Sequence, residues 1–371
     1  MALFGACKKP NDAPKGAPAQ APTVYVLGAD NNHNFMYWKN GVAASLPATI
    51  ATGGAAYVSG NNIYAAGGTN FYFGAGRPGN AGYWNNGVIT ALPATTGYAF
   101  ASAVFASGGD VYAAGVTYYP QQFTVPYTTP TATYPTAGYV ATCWKNGVAA
   151  NLSSKGIDGQ DGGFAITDYS DYVSGIFVSG NDVYISGGSN ISQQGVDSTY
   201  HFARYWKNGV PTELVNGLTT ITPSQNDYPN STAIYVAGSD VYVAGFESVG
   251  GPDTSLTLRA LYWKNGVASL LTTFAFSPAV ASSIFVSGND LYVAGYETTN
   301  GFTYATYWKN GVAKNLTTNI YSEASSIFVS GSDVYVAGFE VVNGARYAVY
   351  WKNGTVVKLG ANVTASSIYV Q

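Results

Sequence analysis

The chain has 371 residues, of which only 9% are charged and 15% aromatic, with 31 Tyr, 45 Gly and a net charge of −3. So weak and slightly negative a charge leaves no electrostatic footprint for nucleic acid, and no apolar run approaches the ~20 residues that cross a bilayer. Abundant Tyr, Thr, Val, Ser, Gly and Asn favour strands and turns over helices.

The first element is the segment 1–22. Leu3-Phe4-Gly5-Ala6-Cys7 resembles a bacterial lipobox, in which small residues precede a Cys that is lipidated after signal cleavage; Phe4 stands where Leu is usual. Lys8-Lys9-Pro10 and an Ala/Pro/Gly/Asp stretch to Pro22 follow. Such a stretch cannot bury apolar surface and reads as a flexible tether. The resemblance implies a lipid anchor on Cys7 and a place in the bacterial cell envelope, periplasmic or surface-exposed. The alternative is a flexible tail with an incidental Cys on a secreted protein.

From residue 23 onward one motif recurs. All seven Trp (Trp38, Trp84, Trp144, Trp206, Trp263, Trp308 and Trp351) precede Lys-Asn-Gly, except that Asn85 replaces Lys after Trp84. They lie 43 to 62 residues apart, and the shorter spacings fit the ~40–50 residues of a four-stranded propeller blade. The cleanest unit predicts strand A at Ser282–Val286, a turn at Ser287–Asp290 and strand B at Leu291–Gly295. A loop leads to strand C at Tyr304–Trp308, an Asn310-Gly311 hairpin turn and strand D from Val312 to Leu316. Asn-Gly suits a type I′ turn, which needs positive φ at both central residues. Trp and the alternating Ile, Val, Tyr and Phe read as packing between blades. The recurring turn acid (Asp110, Asp182, Asp240, Asp290 and Asp333, with Asn62 in the second copy) reads as an Asx-type bond to the turn backbone.

The two ends complement each other. Thr23–Gly28 matches strand B with no strand A before it, and Ser366–Val370 matches strand A with no strand B after it. The expectation is one all-β domain over 23–371: a seven-bladed β-propeller of four-stranded antiparallel blades, its ring closed by the C-terminal strand A on the N-terminal strands B-C-D. Closure removes exposed sheet edges.

Loop lengths divide this ring. A–B and C–D turns share one face and hardly vary, whereas B–C and D–A connections share the other. From the last Gly of strand B to Trp the chain takes between 10 and 29 residues, and the D–A connections lengthen at Asn151–Tyr172 and Leu214–Ser231. Long loops on a rigid scaffold are where binding sits. The largest insertion, Tyr118 to Tyr139, carries Tyr118, Tyr119, Phe123, Tyr127 and Tyr134 among four Pro, and the second copy adds Phe71, Tyr72 and Phe73. Tyr offers a rigid surface with a polar tip, suited to stacking on a glycan or gripping an envelope protein; the other reading is aromatics that pack the loops on themselves.

At the end of strand B on the same face, Asp30, Glu247, Glu297 and Glu340 form an acidic arc across four consecutive blades, counted through the closure. It could hold Ca2+ through oxygen ligands, supply paired carboxylates for glycosidic chemistry, or ion-pair with Arg259 or Arg346. No other cofactor is expected. His33 and His201, the two His, sit three blades apart, and no nucleophile elbow, zinc signature or phosphate loop occurs. Cys143 takes the place of a Tyr in a repeated strand, as a small buried hydrophobe.

The unit Tyr-Trp-Lys-Asn-Gly-Val-Ala with a later Leu resembles repeats in uncharacterised bacterial secreted or surface lipoproteins and is loosely similar to the HAF repeat. The resemblance covers almost the whole chain after Pro22; it implies a propeller in an envelope protein and transfers no catalytic residues. The leading expectation is a monomeric, non-enzymatic binding or scaffold propeller that meets a glycan or envelope protein through its loop-rich face and a membrane only through Cys7. The alternatives are a glycan hydrolase or lyase using the acidic arc, and a purely structural envelope protein.

Overall fold

The computed structural model describes residues 21–30, 35–45, 51–69, 80–94, 98–119, 123–124, 133–134, 138–152, 166–193, 199–214, 228–250, 256–272, 278–318 and 321–371. These residues build an all-β propeller of four-stranded antiparallel blades. In chain order the strands are β1 (Val24–Asp30), β2 (Phe35–Lys39) and β3 (Val42–Ser45); β4 (Ala51–Ser59), β5 (Asn62–Thr69), β6 (Asn80–Asn85) and β7 (Val88–Leu92); β8 (Tyr98–Ser107), β9 (Asp110–Tyr119), β10 (Phe123–Thr124), β11 (Thr133–Tyr134), β12 (Gly138–Lys145) and β13 (Val148–Asn151). Then follow β14 (Ile166–Ser179), β15 (Asp182–Gln193), β16 (Thr199–Lys207) and β17 (Val210–Glu213); β18 (Tyr228–Ala237), β19 (Asp240–Gly250), β20 (Leu256–Lys264) and β21 (Val267–Leu270). The last groups are β22 (Ala279–Ser287), β23 (Asp290–Thr299), β24 (Phe302–Lys309) and β25 (Val312–Asn315); β26 (Ser322–Ser330), β27 (Asp333–Val342), β28 (Ala345–Lys352) and β29 (Thr355–Ala361); and β30 (Val363–Val370).

Five blades are separate four-stranded sheets: β4-β5-β6-β7, β18-β19-β20-β21, β22-β23-β24-β25, β26-β27-β28-β29 and β3-β2-β1-β30. The first and last strands of the chain pair antiparallel, from Val24↔Val370 to Asp30↔Val363. The expectation of seven separate blades is corrected at the remaining strands. β8-β9-β12-β13 and β14-β15-β16-β17 are two antiparallel meanders joined into one eight-stranded sheet by a single parallel pair, Tyr139↔Ser170. The cause is strand length. β13 covers β12 only from Thr142 to Lys145, which leaves the loop-side half of β12 an open edge, and the 14-residue β14 reaches it.

Seven apolar clusters lie between consecutive four-stranded units, and each holds one Trp that is at most 1% exposed. Trp351, for example, packs with Val336 and Val349 of its own sheet on Ala294 and Ala305 of the one before. The Phe and Tyr of the A strands pack against these clusters, one ring on each, and also meet one another. Tyr57, Phe105, Phe177, Tyr235, Phe285, Phe328 and Tyr369 turn toward the axis, each ring touching the next and the last touching the first, at centroid distances of 4.3 to 6.1 Å.

Every A strand also carries a bulge. The register with strand B skips Ser102, Ser174, Thr232, Ser282, Ser325 and Ser366 at one equivalent place in six A strands, and β14 skips Thr167 as well. An extra residue bends the strand and redirects its side chain. The partner strand must yield space: a Cβ on Gly295 would overlap the Val280 carbonyl, and one on Gly115 the Phe100 carbonyl. The repeated Gly of strand B is a consequence of the bulge.

Candidate functional site

On the uniform face, each Lys-Asn-Gly turn locks the A–B turn of its own blade. The seven Asn adopt φ near 50° and the Gly after them 80–87°, as the two-residue turn requires. Each Asn Oδ1 accepts the backbone N–H that opens strand B, at 2.8–2.9 Å. Where the turn acid is present, Asn Nδ2 donates to Asp Oδ1 at 2.7–2.9 Å, and Lys Nζ reaches Oδ2 at 2.7–2.9 Å. The Asp is thus a bridge between two turns, which corrects its reading as a simple Asx cap. Hydrogen bonds from Lys and then Asn hold all five carboxyls below the ordinary value of 3.8. In the second copy both charges are replaced together: Asn85 stands for Lys, and Asn86 Nδ2 donates to Asn62 Oδ1 at 2.7 Å.

The opposite ends of the same strands carry the acidic arc, whose members meet four different fates. Glu247 is 1% exposed and ion-paired with the Arg259 guanidinium, its register partner across the β19–β20 hairpin. Glu297 is half-buried and burial pushes its carboxyl up, with only a partial offset from the nearby Trp308 indole, whose Nε1 has no hydrogen-bond partner among the described residues. Glu340 is 5% exposed and also pushed up by burial, against the Lys358 charge and the Trp351 indole. Arg346, the expected partner, stacks instead on the Phe339 ring at 4.0 Å. Asp30 sits half-buried at the end of β1, opposite Val363. None of the four lines the axial channel.

Among the loop aromatics, Tyr118 is half-buried, its ring 5.3 Å from both Tyr98 and Tyr139, and Tyr139 is 41% exposed. The three form a ledge at the root of the largest insertion. Phe123–Thr124 pair with Thr133–Tyr134 as a two-stranded hairpin. Tyr119, Phe123 and Tyr134 are described by their backbone alone, and Phe71, Tyr72, Tyr127, Cys7 and His33 lie outside the described residues. His201 is half-buried with Nδ1 2.8 Å from Asn190 Oδ1, and burial lowers its pKa. Burial raises the Cys143 thiol to about 12.

A buried polar seam between the two fused meanders went unread in the sequence. Asp171, 4% exposed, accepts from Ser189 Oγ at 2.5 Å and from the Ala141 N–H of the neighbouring meander at 3.0 Å. Ser322 does the same for the Ala305 N–H, at 2.9 Å. Arg204 lies at 0% exposure on the Trp-bearing strand β16 of this seam, with no acceptor for Nε, Nη1 or Nη2 among the described residues. A lone Arg where the other copies have Met36, Gly82, Thr142, Leu261, Thr306 or Val349 was the signal that could have found it.

No family model matches this chain, and no curated protein does. Among solved structures it is similar to a glycoside hydrolase (9% identity over 72% of this chain and 85% of that one, TM-score 0.32). It is also similar to the Bombyx mori GH32 β-fructofuranosidase BmSUC1, a mutant in complex with sucrose (10% identity, 85% and 88% covered, TM-score 0.31). A third is a xylan β-1,4-xylosidase from Bacillus halodurans C-125 (9% identity, 94% of each chain, TM-score 0.32). Likeness at this level says nothing about chemistry, and the fold described above rests on this chain's own strand pairing.

Proposed function

We propose that this protein is a non-enzymatic binding or scaffold propeller of the bacterial envelope, which engages a glycan or an envelope protein through its loop-rich face. The reading is supported above all by how the recurring polar groups are used. On the uniform face the recurring Asp, Asn and Lys bond to one another, so the variable face is where a partner can be specified. The Tyr98–Tyr118–Tyr139 ledge, at the root of the longest loop, supplies aromatic surface there.

The eight-stranded sheet is, in this reading, two blades sharing one residue pair, so that the ring counts seven blades and closes through β30 on β1. Seven Trp-bearing clusters and an unbroken cycle of axial rings favour it. Topology then orients the molecule. β1 starts at the uniform face, where the Val24 N–H meets Asn40. A tether from a lipidated Cys7 would leave from that face and turn the loops away from the membrane.

The catalytic alternative draws on the raised carboxyls of Glu297 and Glu340, since a general acid needs an elevated pKa. Against it stand the Arg259 ion pair of Glu247 and the dispersal of the four acids over separate sheets. The deciding experiment screens the full chain on a glycan array beside a variant with residues 120–137 replaced by Asn-Gly. That turn already joins the same two strands at Asn300–Gly301, and Tyr119 and Gly138 are in register to receive it. Binding should fall at least tenfold; unchanged binding would refute the placement of the site. Glu297→Gln with Glu340→Gln should leave binding intact, whereas an enzyme would lose its turnover.

A further inference from the structure

The axis of the propeller offers a second surface besides the loop-rich face. The seven A strands enclose an axial channel of about 740 Å³, inside the ~300–1,000 Å³ range of small-molecule sites. Its wall has two tiers. One is the cycle of aromatic rings, each partly exposed. The other is a tier of hydroxyls, because the six bulge residues Ser102, Ser174, Thr232, Ser282, Ser325 and Ser366 all line the channel.

The bulges matter chemically. In a regular strand, successive side chains alternate between faces, and one inserted residue changes which of them face the axis. In six of the seven A strands the inserted residue is a Ser or Thr, whereas β4 shifts register at Gly54 and Ala55. Three of them serve the protein: Ser174 meets Ser186 and Ser231, Thr232 donates to the Ala281 carbonyl at 2.6 Å, and Ser366 donates to the Leu27 carbonyl. Ser102, Ser282 and Ser325 have no hydrogen-bond partner among the described residues and retain donors and acceptors for a guest. None of the lining side chains is charged.

We propose that the axial channel is a binding site for a neutral saccharide, a mono- or disaccharide or the end of a longer chain. A sugar ring presents apolar C–H faces and a rim of hydroxyls, which match an aromatic belt beside a hydroxyl tier. An ion would find no side chain of opposite charge there and would lose much of its hydration. This site is separate from the loop face and stands or falls independently of it.

Saturation-transfer NMR and calorimetry on the full chain, with maltose, cellobiose and diacetylchitobiose as probes, test the assignment. At least one of the three should bind. Ser282→Ala with Ser325→Ala, which removes hydroxyls without a protein partner, should weaken it about tenfold while leaving the unfolding midpoint in place. Phe177→Leu with Phe285→Leu should weaken it further and erase transfer from aromatic protons. Replacing 120–137 by Asn-Gly should change nothing, and glucosamine should not compete. The inference is overturned if none of the three sugars binds at millimolar concentration. Equal affinity in the folded channel variants, or loss on shortening the loop alone, would also overturn it.

Discussion

The two ends of the same strands show opposite ways of handling charge. At the Lys-Asn-Gly end, Asp, Lys and Asn form one bonded set that recurs five times with distances constant to about 0.2 Å. At the other end, the acids lie half-buried or buried, and no two of them have the same surroundings. Glu247 pairs with an arginine, whereas Glu297 and Glu340 are pushed up by burial and only Glu340 feels an opposing lysine charge. A residue can repeat freely where its partners repeat with it. Asn62 and Asn85 replace Asp and Lys together in one copy, where a lone Asp or Lys would lack its counter-charge; in the first copy Lys39 has no turn Asp and lies over the Tyr25 ring.

The strongest way to break the comparison is to remove the end of the chain that pairs with its opening strand. Deleting Ser366–Gln371 takes away the partner of β1 together with the buried Ile368 and Val370, and exposes Trp38 and Tyr335 in the cluster beside it. Single large core truncations cost ~2–5 kcal/mol, against a total stability of about 5–15 kcal/mol. The deletion should therefore leave the chain largely unfolded at room temperature, as read by circular dichroism. A cooperative transition at an unchanged temperature would argue against closure.

Glycines sharpen the comparison one step lower in energy. Gly311 at the uniform end is needed for its φ of 82°, since a Cβ added there would meet nothing within 4 Å, whereas Gly295 at the bulge is needed for room. Gly311→Ala should cost ~1–2 kcal/mol by left-handed strain, and Gly311→Asn should restore most of it, because Asn tolerates that region. Gly295→Ala forces the Val280 backbone to move and should cost about 1–3 kcal/mol or more, with no rescue by Asn. Chemical denaturation of the four variants reads the difference; rescue at both positions would mean that space is not what Gly295 supplies.

This contrast also marks how far the sequence could be read. Strand identity, the Asn-Gly turns and the pairing of Ser366–Val370 with the opening strand all follow from local pattern and repetition, and that pairing is observed. The bulge was invisible because its signature is split between two strands, a Ser on one and a Gly on the other. Phe285 and its counterparts do pack against the clusters between blades, as expected, but they also line the channel and touch one another, which the pattern did not announce. The fusion at Tyr139↔Ser170 depends on how far β14 extends, and no residue type announces that. The acidic arc was legible as a set of positions, but its members' partners were not: Arg259 is in register with Glu247, while Arg346 falls opposite Val341 and stacks on Phe339.

The smallest expected effect comes from acid, and it separates the two ends by sign. The five Asp are held below 3.8 in the fold, so the folded chain binds fewer protons than the unfolded one. Their contribution is complete above that value and is lost as pH falls through the lowered ones. Glu297 and Glu340 are held above 4.5, so the folded chain binds more protons. They burden the fold at neutral pH, and the burden lifts as pH falls through their raised values. The unfolding midpoint should thus rise slightly on acidification from pH 7 and then drop below about pH 4. Glu297→Gln with Glu340→Gln should raise the pH 7 midpoint by on the order of 1 °C, abolish the rise and keep the drop. If the double variant instead loses stability at pH 7, the two carboxylates are holding the sheets together through their indole contacts, and the loop-side end is built on bonded charge after all.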